Sequence, residues 1–288
     1  MTAPRLRLAL LDLNAGVPNQ GMRCLRRLVD GFADVIDYEE FDVRAKDEVP
    51  DASFDIYLSS GGPGSPLPSG EAWEERYFGL LDALWAHNQH TADPARRKYV
   101  FFVCHSFQLA VRHFHVGKVV ARRSYSFGTF PVHSSNDGDR DPLFDGLSDP
   151  FWVADFRAFQ VVQPNYTALA RIGASVLAFE KVREHVPLER AVMAIRFSPE
   201  WVGTQFHPEA DAEGMIIHFN DPNRREAIYE EYGEEKYREM MRDLHDPERI
   251  DKTNQIVIPN FLRAAIGELS GRFEGVGLGV SPRRVVGG

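Results

Sequence analysis

Short apolar runs alternate with longer amphipathic segments along most of the chain. The apolar runs end in polar turns, whereas the amphipathic segments repeat apolar residues every three or four positions. The strand-like runs are Leu6–Leu13, Val35–Val43, Phe54–Ser59, Lys98–Val103 and Val176–Phe179, and the helical segments are Met22–Phe32, Glu71–His90 and Ser106–His115. This alternation predicts an α/β fold with a doubly wound, mostly parallel sheet flanked by helices.

Two later regions depart from this alternation. Val116–Val162 is rich in β-forming residues and has no long helical periodicity, so it predicts antiparallel strands or extended loops beside the main sheet. Asp221–Asp246 is highly charged with helical patterning, which predicts one or two helices packed on the surface. Its stretch Arg224–Arg238 is most simply a solvated helix face, although a lid or a partner surface is an alternative.

The C-terminal part begins with a last apolar helix, which the pattern places from Ile256 onwards. The glycine-rich segment 271–288 predicts a flexible tail. The whole pattern therefore predicts a single domain over residues 1–270, with a helical insertion at about 217–255.

Composition narrows the classes of partner. The chain has 288 residues, 43% of them hydrophobic, and a formal net charge of −9. That balance predicts a globular protein whose partners are small molecules or other proteins, and argues against nucleic acid and anionic membranes. No apolar stretch approaches the ~20 residues of a membrane span. Cys24 and Cys104 are the two cysteines, so a disulfide framework is not expected and a cytoplasmic location is predicted.

Cys104 is the first candidate for chemistry. It lies between the apolar run Lys98–Val103 and a segment of helix-forming character. A cysteine on a tight strand-to-helix turn is exposed above the sheet, and the helix N-terminus favours its thiolate. An isolated cysteine after a strand is more often a core residue, so other motifs must support a nucleophile.

A glycine-rich loop and a histidine motif supply that support. Gly61–Gly64, which includes Pro63, follows the strand-like Phe54–Ser59, and its backbone N–H groups can stabilise an oxyanion. The loop lacks the glycine spacing and the lysine of nucleotide-binding loops. His207-Pro208-Glu209 places a base and a carboxylate that can orient it two residues apart.

These motifs, in this order, resemble the class I (triad) glutamine amidotransferases, most of all the proteins described as similar to the amidotransferase domain of GMP synthase. The resemblance spans Leu6 to about Gly214 and implies a flavodoxin-like sheet. It implies that Cys104 is the nucleophile, His207 its general base and acid, and Glu209 the residue that orients the imidazole. The remaining implied site residues form two groups, the oxyanion hole at the N–H groups of Gly62 and His105, and the substrate border at Gly61, Pro63, Gly64 and Gln108.

Two positions depart from the family pattern. The cysteine turn of the family has glycines two residues either side of the nucleophile, where this chain has Phe102 and Ser106. Phe102 is the larger change, because the turn must then accommodate a bulky side chain. The family segment that holds the α-amino and α-carboxylate groups of glutamine corresponds to Phe156–Phe159 here, so a different γ-glutamyl or other acyl substrate is a clear alternative.

The resulting expectation is an enzyme that hydrolyses a γ-glutamyl amide through a glutamyl thioester and releases ammonia or an amine. No metal or organic cofactor is expected, since the spacing of His105, His113 and His115 is not that of metal ligands. The enzyme would act with a separate ammonia-accepting synthetase subunit, or alone as a γ-glutamyl hydrolase or peptidase. A homoserine-type acyltransferase and a catalytically silent binding protein are the alternatives.

Overall fold

A computed structural model describes residues 5–17, 19–182 and 189–273 of the chain. The strands are β1 Leu6–Asp12, β2 Ile36–Asp42, β3 Ile56–Ser59, β4 Tyr99–Val103, β5 Lys118–Ser134, β6 Phe151–Val162, β7 Ser175–Glu180, β8 Val192–Ser198 and β9 Trp201–Thr204. The helices are α1 Gln20–Asp30, α2 Ala72–His90, α3 His105–His113, α4 Tyr166–Ile172, α5 Ala212–Asn220, α6 Pro222–Tyr232, α7 Glu234–Leu244 and α8 Ile250–Ser270. The elements confirm the predicted α/β class.

One half of the sheet is parallel. Strands β2, β1, β3, β4 and β9 lie side by side in that order, and each neighbouring pair runs in the same direction. In β1, Leu8 and Leu10 pack on one face of the sheet and Ala9 and Leu11 on the other. Both faces are buried, which explains why this strand is a continuous apolar run.

The other half of the sheet is antiparallel, so the prediction of a mostly parallel sheet holds only for the first half. Strands β5 and β6 form a long antiparallel pair with a register shift between Ala121 and Ser126. The antiparallel alternative predicted for Val116–Val162 is thus confirmed. Strand β7 pairs with both β5 and β8, and β8 also pairs with β6, so these four strands close on themselves. Because β7 pairs antiparallel with both neighbours, its segment Val176–Phe179 does not continue the parallel alternation.

Helices cover both faces of the parallel half. Apolar residues of α1 and α8 join one core cluster, and those of α2 and α3 join the other. A third cluster lies outside the sheet, where α5, α6 and α7 pack against residues of β5 and β6. This third layer forms the roof of the site described below.

Several elements differ from the sequence prediction. The hairpin of β8 and β9 and the short helix α4 were not predicted, and α8 begins at Ile250 rather than Ile256 because Ile250 and Thr253 are also buried. The domain limits and the insertion at about 217–255 stay predictions, although α5, α6 and α7 occupy much of that range. The predicted flexible tail lies outside the described residues from 274 onwards. Among the described helices, none is long and apolar enough to span a membrane.

Candidate active site

The three sequence motifs lie together at one edge of the sheet. Gly61 follows β3, Cys104 follows β4 and His207 follows β9, and these strands are neighbours that run in the same direction. The carboxyl ends of neighbouring parallel strands meet at the same edge, where open α/β sheets bind their ligands. The topology therefore brings distant parts of the chain to one place.

Cys104 lies on a sharp turn. Its backbone has φ 48° and ψ −96°, a conformation that few residues other than glycine adopt. The N–H of Cys104 donates to the carbonyl of Thr204 at 2.7 Å, and the carbonyl of Cys104 accepts from the N–H of Gln108 at 3.0 Å. The strand on one side and the helix on the other thus fix the turn, and the thiol lines a cavity above the sheet.

The two unusual residues of the cysteine turn, Phe102 and Ser106, are accommodated below it. Phe102 is fully buried and faces Gly203 in the register of β4 and β9. A Cβ atom at Gly203 would lie 2.9 Å from the Cβ of Phe102, so the missing side chain on β9 makes room for the ring. Ser106 donates through Oγ to the carbonyl of Ser59 at 2.9 Å and accepts from the N–H of Val103 at 2.8 Å. The bulk of Phe102 therefore packs into the core and does not crowd the thiol of Cys104.

The glycine loop borders the thiol and the imidazole. A Cβ atom at Gly61 would lie 2.9 Å from Cε1 of His207 and 3.6 Å from Cβ of Cys104. Gly62 fits only as glycine, since a Cβ atom there would lie 2.3 Å from the carbonyl oxygen of Leu13. Gly61, Gly62 and Pro63 line the cavity, whereas Gly64 lies outside it with φ +87°.

Arg44 fixes the loop in place. Its guanidinium donates to the carbonyl of Pro63 at 2.6 Å and to that of Leu13 at 3.2 Å. No hydrogen bond among the described residues uses the N–H of Gly62 or of His105. Both N–H groups are therefore without a hydrogen-bond acceptor among the described residues, and their role in an oxyanion hole stays a prediction. The side chain of His105 is buried away from the cavity, and burial lowers its pKa to about 3.

His207 connects the thiol to a buried carboxylate. Its Nδ1 lies 2.8 Å from Oε1 of Glu209, and its ring lies near Cys104, since a Cβ atom at Gly61 would approach both residues. Burial alone would lower the pKa of His207, but the charges of Glu209 and Cys104 outweigh burial and raise the pKa well above its ordinary value. The imidazolium form is therefore favoured between two groups that can carry negative charge.

Glu209 is held by its surroundings. The side chain is 2% exposed, and a Cβ atom at Gly21, in the first turn of α1, would lie 3.3 Å from its Oε1. The N-terminus of a helix favours negative charge. The backbone carbonyl of Glu209 accepts from the side chain of Asn254 at 2.8 Å, which anchors the motif to α8.

Gln108 does not line the cavity. Its amide donates to Oε1 of Gln205 at 3.0 Å, and the amide of Gln205 lies 3.8 Å from Sγ of Cys104. Both glutamines are buried. Gln108 is therefore connected to Cys104 through Gln205, which precedes the histidine motif and was not predicted as a site residue.

The cavity above these residues measures about 740 Å³. Cys104, His207 and Glu209 lie at its base, and helices α5 and α6 supply residues to its far side. Phe156 lines the cavity, with its ring centroid 6.3 Å from that of His207. Arg157 does not reach the cavity, because its guanidinium is buried against Asp155 at 2.8 Å.

The second cysteine also borders the cavity but differs chemically from the first. The thiol of Cys24 lies 3.5 Å from Oδ2 of Asp211, which itself accepts two hydrogen bonds from Arg23 at 2.8 and 2.9 Å. Burial and the charge of Asp211 raise the pKa of Cys24 to about 12. Cys24 is therefore protonated at neutral pH and is a poor nucleophile.

Known structures share this fold. A glutamine amidotransferase from Thermotoga maritima matches with a TM-score of 0.63 at 15% identity, over 91% of this chain and 98% of that one. A glutamine amidotransferase from Methylobacillus flagellatus matches with a TM-score of 0.63 at 15% identity, over 93% and 96% of the two chains. The CTPS glutaminase domain from Trypanosoma brucei with bound acivicin matches with a TM-score of 0.51 at 14% identity, over 71% and 86%.

In sequence, the chain matches no protein-family model and no curated protein. The structural matches confirm the predicted resemblance to glutamine amidotransferases at the level of the fold. No group of three or more histidine, cysteine or acidic side chains in the described parts of the chain is arranged to hold a metal ion.

Proposed function

We propose that the protein is a cysteine-dependent hydrolase of γ-glutamyl amides, related in mechanism to the glutaminase reaction of glutamine amidotransferases. The proposal is carried by one observation, the position of His207 beside Cys104 with its Nδ1 hydrogen-bonded to the carboxylate of Glu209. A base hydrogen-bonded to a nucleophile and oriented by a third group is the general arrangement of acyl-transfer triads.

In the first half of the reaction, the thiolate of Cys104 attacks the carbonyl carbon of the amide. The carbonyl oxygen becomes an oxyanion, which accepts hydrogen bonds from the N–H groups of Gly62 and His105. When the oxyanion collapses, the C–N bond breaks and the imidazolium of His207 gives its proton to the leaving nitrogen. Ammonia or an amine departs, and a glutamyl thioester remains on Cys104.

In the second half, water hydrolyses the thioester. Neutral His207 accepts a proton from the water as its oxygen attacks the thioester carbon. The C–S bond then breaks, which releases glutamate and restores the thiolate of Cys104 beside the imidazolium. Glu209 holds the same ring orientation in both halves, so one histidine serves as acid and then as base.

The acceptor of the released nitrogen is a separate question. We assign the parallel half of the sheet to the doubly wound, flavodoxin-like arrangement of amidotransferases, and residues 1–270 to one domain. A synthetase that consumes ammonia would then lie outside residues 1–270. Because Phe156 replaces the glutamine-binding segment at the cavity wall, we favour a stand-alone γ-glutamyl hydrolase.

The narrower likeness to the GMP synthase domain and the cytoplasmic location stay predictions.

Covalent labelling tests the proposed nucleophile. A glutamine-like diazo ketone, or acivicin, should form one covalent adduct per molecule of wild-type protein. The Cys104→Ala variant should form none. Cys24→Ala is the matched control, since its cysteine lines the same cavity yet should not react. Intact-mass spectrometry measures all three proteins.

Activity assays separate the alternatives. Hydrolysis of γ-glutamyl amides that disappears in Cys104→Ala and persists in Cys24→Ala supports the proposal. Absence of both an adduct and hydrolysis across a panel of γ-glutamyl amides would contradict it and would favour a catalytically silent binding protein. Transfer of an acyl group to homoserine without amide hydrolysis would favour the acyltransferase alternative.

A further inference from the structure

The cavity is larger than glutamine requires. Pockets of about 300–1,000 Å³ enclose drug-sized ligands, and the cavity above Cys104 measures about 740 Å³. Glutamine is far smaller than such ligands. A substrate that filled the cavity would therefore carry a substantial group beyond the γ-glutamyl amide.

One side of the cavity is formed by aromatic side chains from four elements. We call it the aromatic wall, and it consists of Tyr125, Phe127, Phe156, Phe219 and Tyr232. The ring of Phe127 is central, at 4.6 Å from Tyr232 in a stacked arrangement, 5.3 Å from Phe156 and 5.6 Å from Phe219. Met215 and Ile228 extend this apolar surface. Such rings favour an aromatic partner in stacked or edge-to-face contact.

The aromatic wall lies on the leaving-group side of the proposed chemistry. Phe156 is the member beside the triad, with its ring centroid 6.3 Å from that of His207. In the proposed reaction His207 gives its proton to the leaving nitrogen. A group attached to that nitrogen would therefore extend past the imidazole toward Phe156 and Phe127.

The charged groups of the cavity lie elsewhere or face solvent. Arg23 and Asp211 are paired with each other at 2.8 Å on the α1 side. Glu231 lines the cavity from α6 but is exposed, and His218 and Tyr232 are the other titratable groups that α5 and α6 contribute. If the group attached to the amide nitrogen carried a positive charge, Glu231 would be its partner. A neutral aromatic group at the same place would contact the aromatic wall.

We infer that the preferred substrate is a γ-glutamyl amide of an aromatic amine, rather than glutamine. Hydrolysis would release glutamate and the arylamine or arylalkylamine by the steps given above. This inference rests on the proposed function, because it identifies the leaving group of the same reaction. A site specific for an apolar substituent discriminates by about 10–200-fold for each methylene-sized group.

Four substrates test the inference, namely γ-glutamyl phenethylamide, γ-glutamyl ethylamide, γ-glutamyl 4-aminobutylamide and glutamine. We expect kcat/KM for the phenethylamide to exceed those for the ethylamide and glutamine by at least about tenfold. In Tyr232→Leu, the ratio of kcat/KM for phenethylamide to that for glutamine should fall by about tenfold. Ala227→Trp, which places a bulky ring into the cavity from an exposed position of α6, should lower the same ratio.

Tyr229→Leu is the matched control. Tyr229 is on the same helix but packs against Tyr237 and does not line the cavity, so its substitution should leave the ratio unchanged. Equal or faster hydrolysis of glutamine or the ethylamide would overturn the inference and leave the proposed function intact. Fastest hydrolysis of the aminobutylamide would overturn it in favour of a cationic leaving group beside Glu231. Failure to hydrolyse any of the four would overturn both.

Discussion

Gly61→Ala is the substitution that most directly tests the geometry of the site. The new Cβ would lie 2.9 Å from Cε1 of His207, whereas carbon atoms in good contact lie about 3.5–4.0 Å apart. The backbone of Gly61 has no positive φ that would exclude alanine. The imidazole must therefore move by about 0.6 Å or more to restore an ordinary contact.

That movement affects activity more than stability. The ring is held at 2.8 Å from Glu209 and lies near Cys104, so a shift changes its position relative to both residues. A misplacement of about 1 Å costs about 100-fold in rate, while a forced core contact costs about 1–3 kcal/mol of stability. We expect kcat/KM for a γ-glutamyl amide to fall by about 100-fold, and the free energy of unfolding to fall by at most about 3 kcal/mol.

The assay combines three measurements, namely kcat/KM, urea denaturation and the rate at which iodoacetamide alkylates Cys104. Gly79→Ala is the control, because a Cβ atom there meets nothing within 4 Å and should stabilise α2 by about 1 kcal/mol. Gly62→Ala should behave differently and destabilise the fold, since its Cβ would meet a backbone oxygen at 2.3 Å. If Gly61→Ala is alkylated and hydrolyses substrate at the wild-type rates, the close approach of Gly61 to the imidazole of His207 is refuted.

Three further predictions concern charge. Glu209→Gln should lower the pKa of His207 and slow hydrolysis by at least about 100-fold, with alkylation of Cys104 moving to higher pH; an unchanged pH profile would contradict this role. Because burial lowers the pKa of His105 to about 3, the unfolded state binds a proton below about pH 6.5 that the folded state does not. Stability from this group is therefore lost as pH falls, by about 2 kcal/mol at pH 5, and urea denaturation of His105→Gln should lack that loss. At pH 7.5, iodoacetamide should label Cys104 and leave Cys24, whose pKa is raised to about 12; intact mass after Cys104→Ala checks this.

The meeting of the glycine loop and Cys104 at one edge could be predicted, because each follows the end of a strand-like run. Apolar runs and the turns after them are local signals, and parallel neighbours place their carboxyl ends at one edge. The sequence could not place β9 beside β4, because the hairpin of β8 and β9 reverses the chain between short apolar segments. It also left open whether Val116–Val162 forms strands or loops.

The aromatic wall could not be predicted from local patterns. Phe127 and Phe156 are on paired strands, while Tyr232 is on a helix much later in the sequence. Each residue is unremarkable in its own segment, and only tertiary packing brings the rings together. The charged character of Arg224–Arg238 indicated a solvated helix face. The opposite face of α6 carries Ile228 and Tyr232, which line the cavity.

Phe102 illustrates how a local rule can fail through a distant compensation. The rule that glycine stands two residues before the nucleophile expresses a need for space beneath the turn. Here Gly203 on β9 supplies that space, since a Cβ atom there would lie 2.9 Å from both Cβ of Phe102 and Cδ2 of Phe107. The space below the turn is shared by β4 and β9, so a glycine on either strand can provide it. A bulky residue before Cys104 is therefore compatible with the sharp turn at this cysteine, and the segment Phe156–Phe159 is the departure that bears on the proposed substrate.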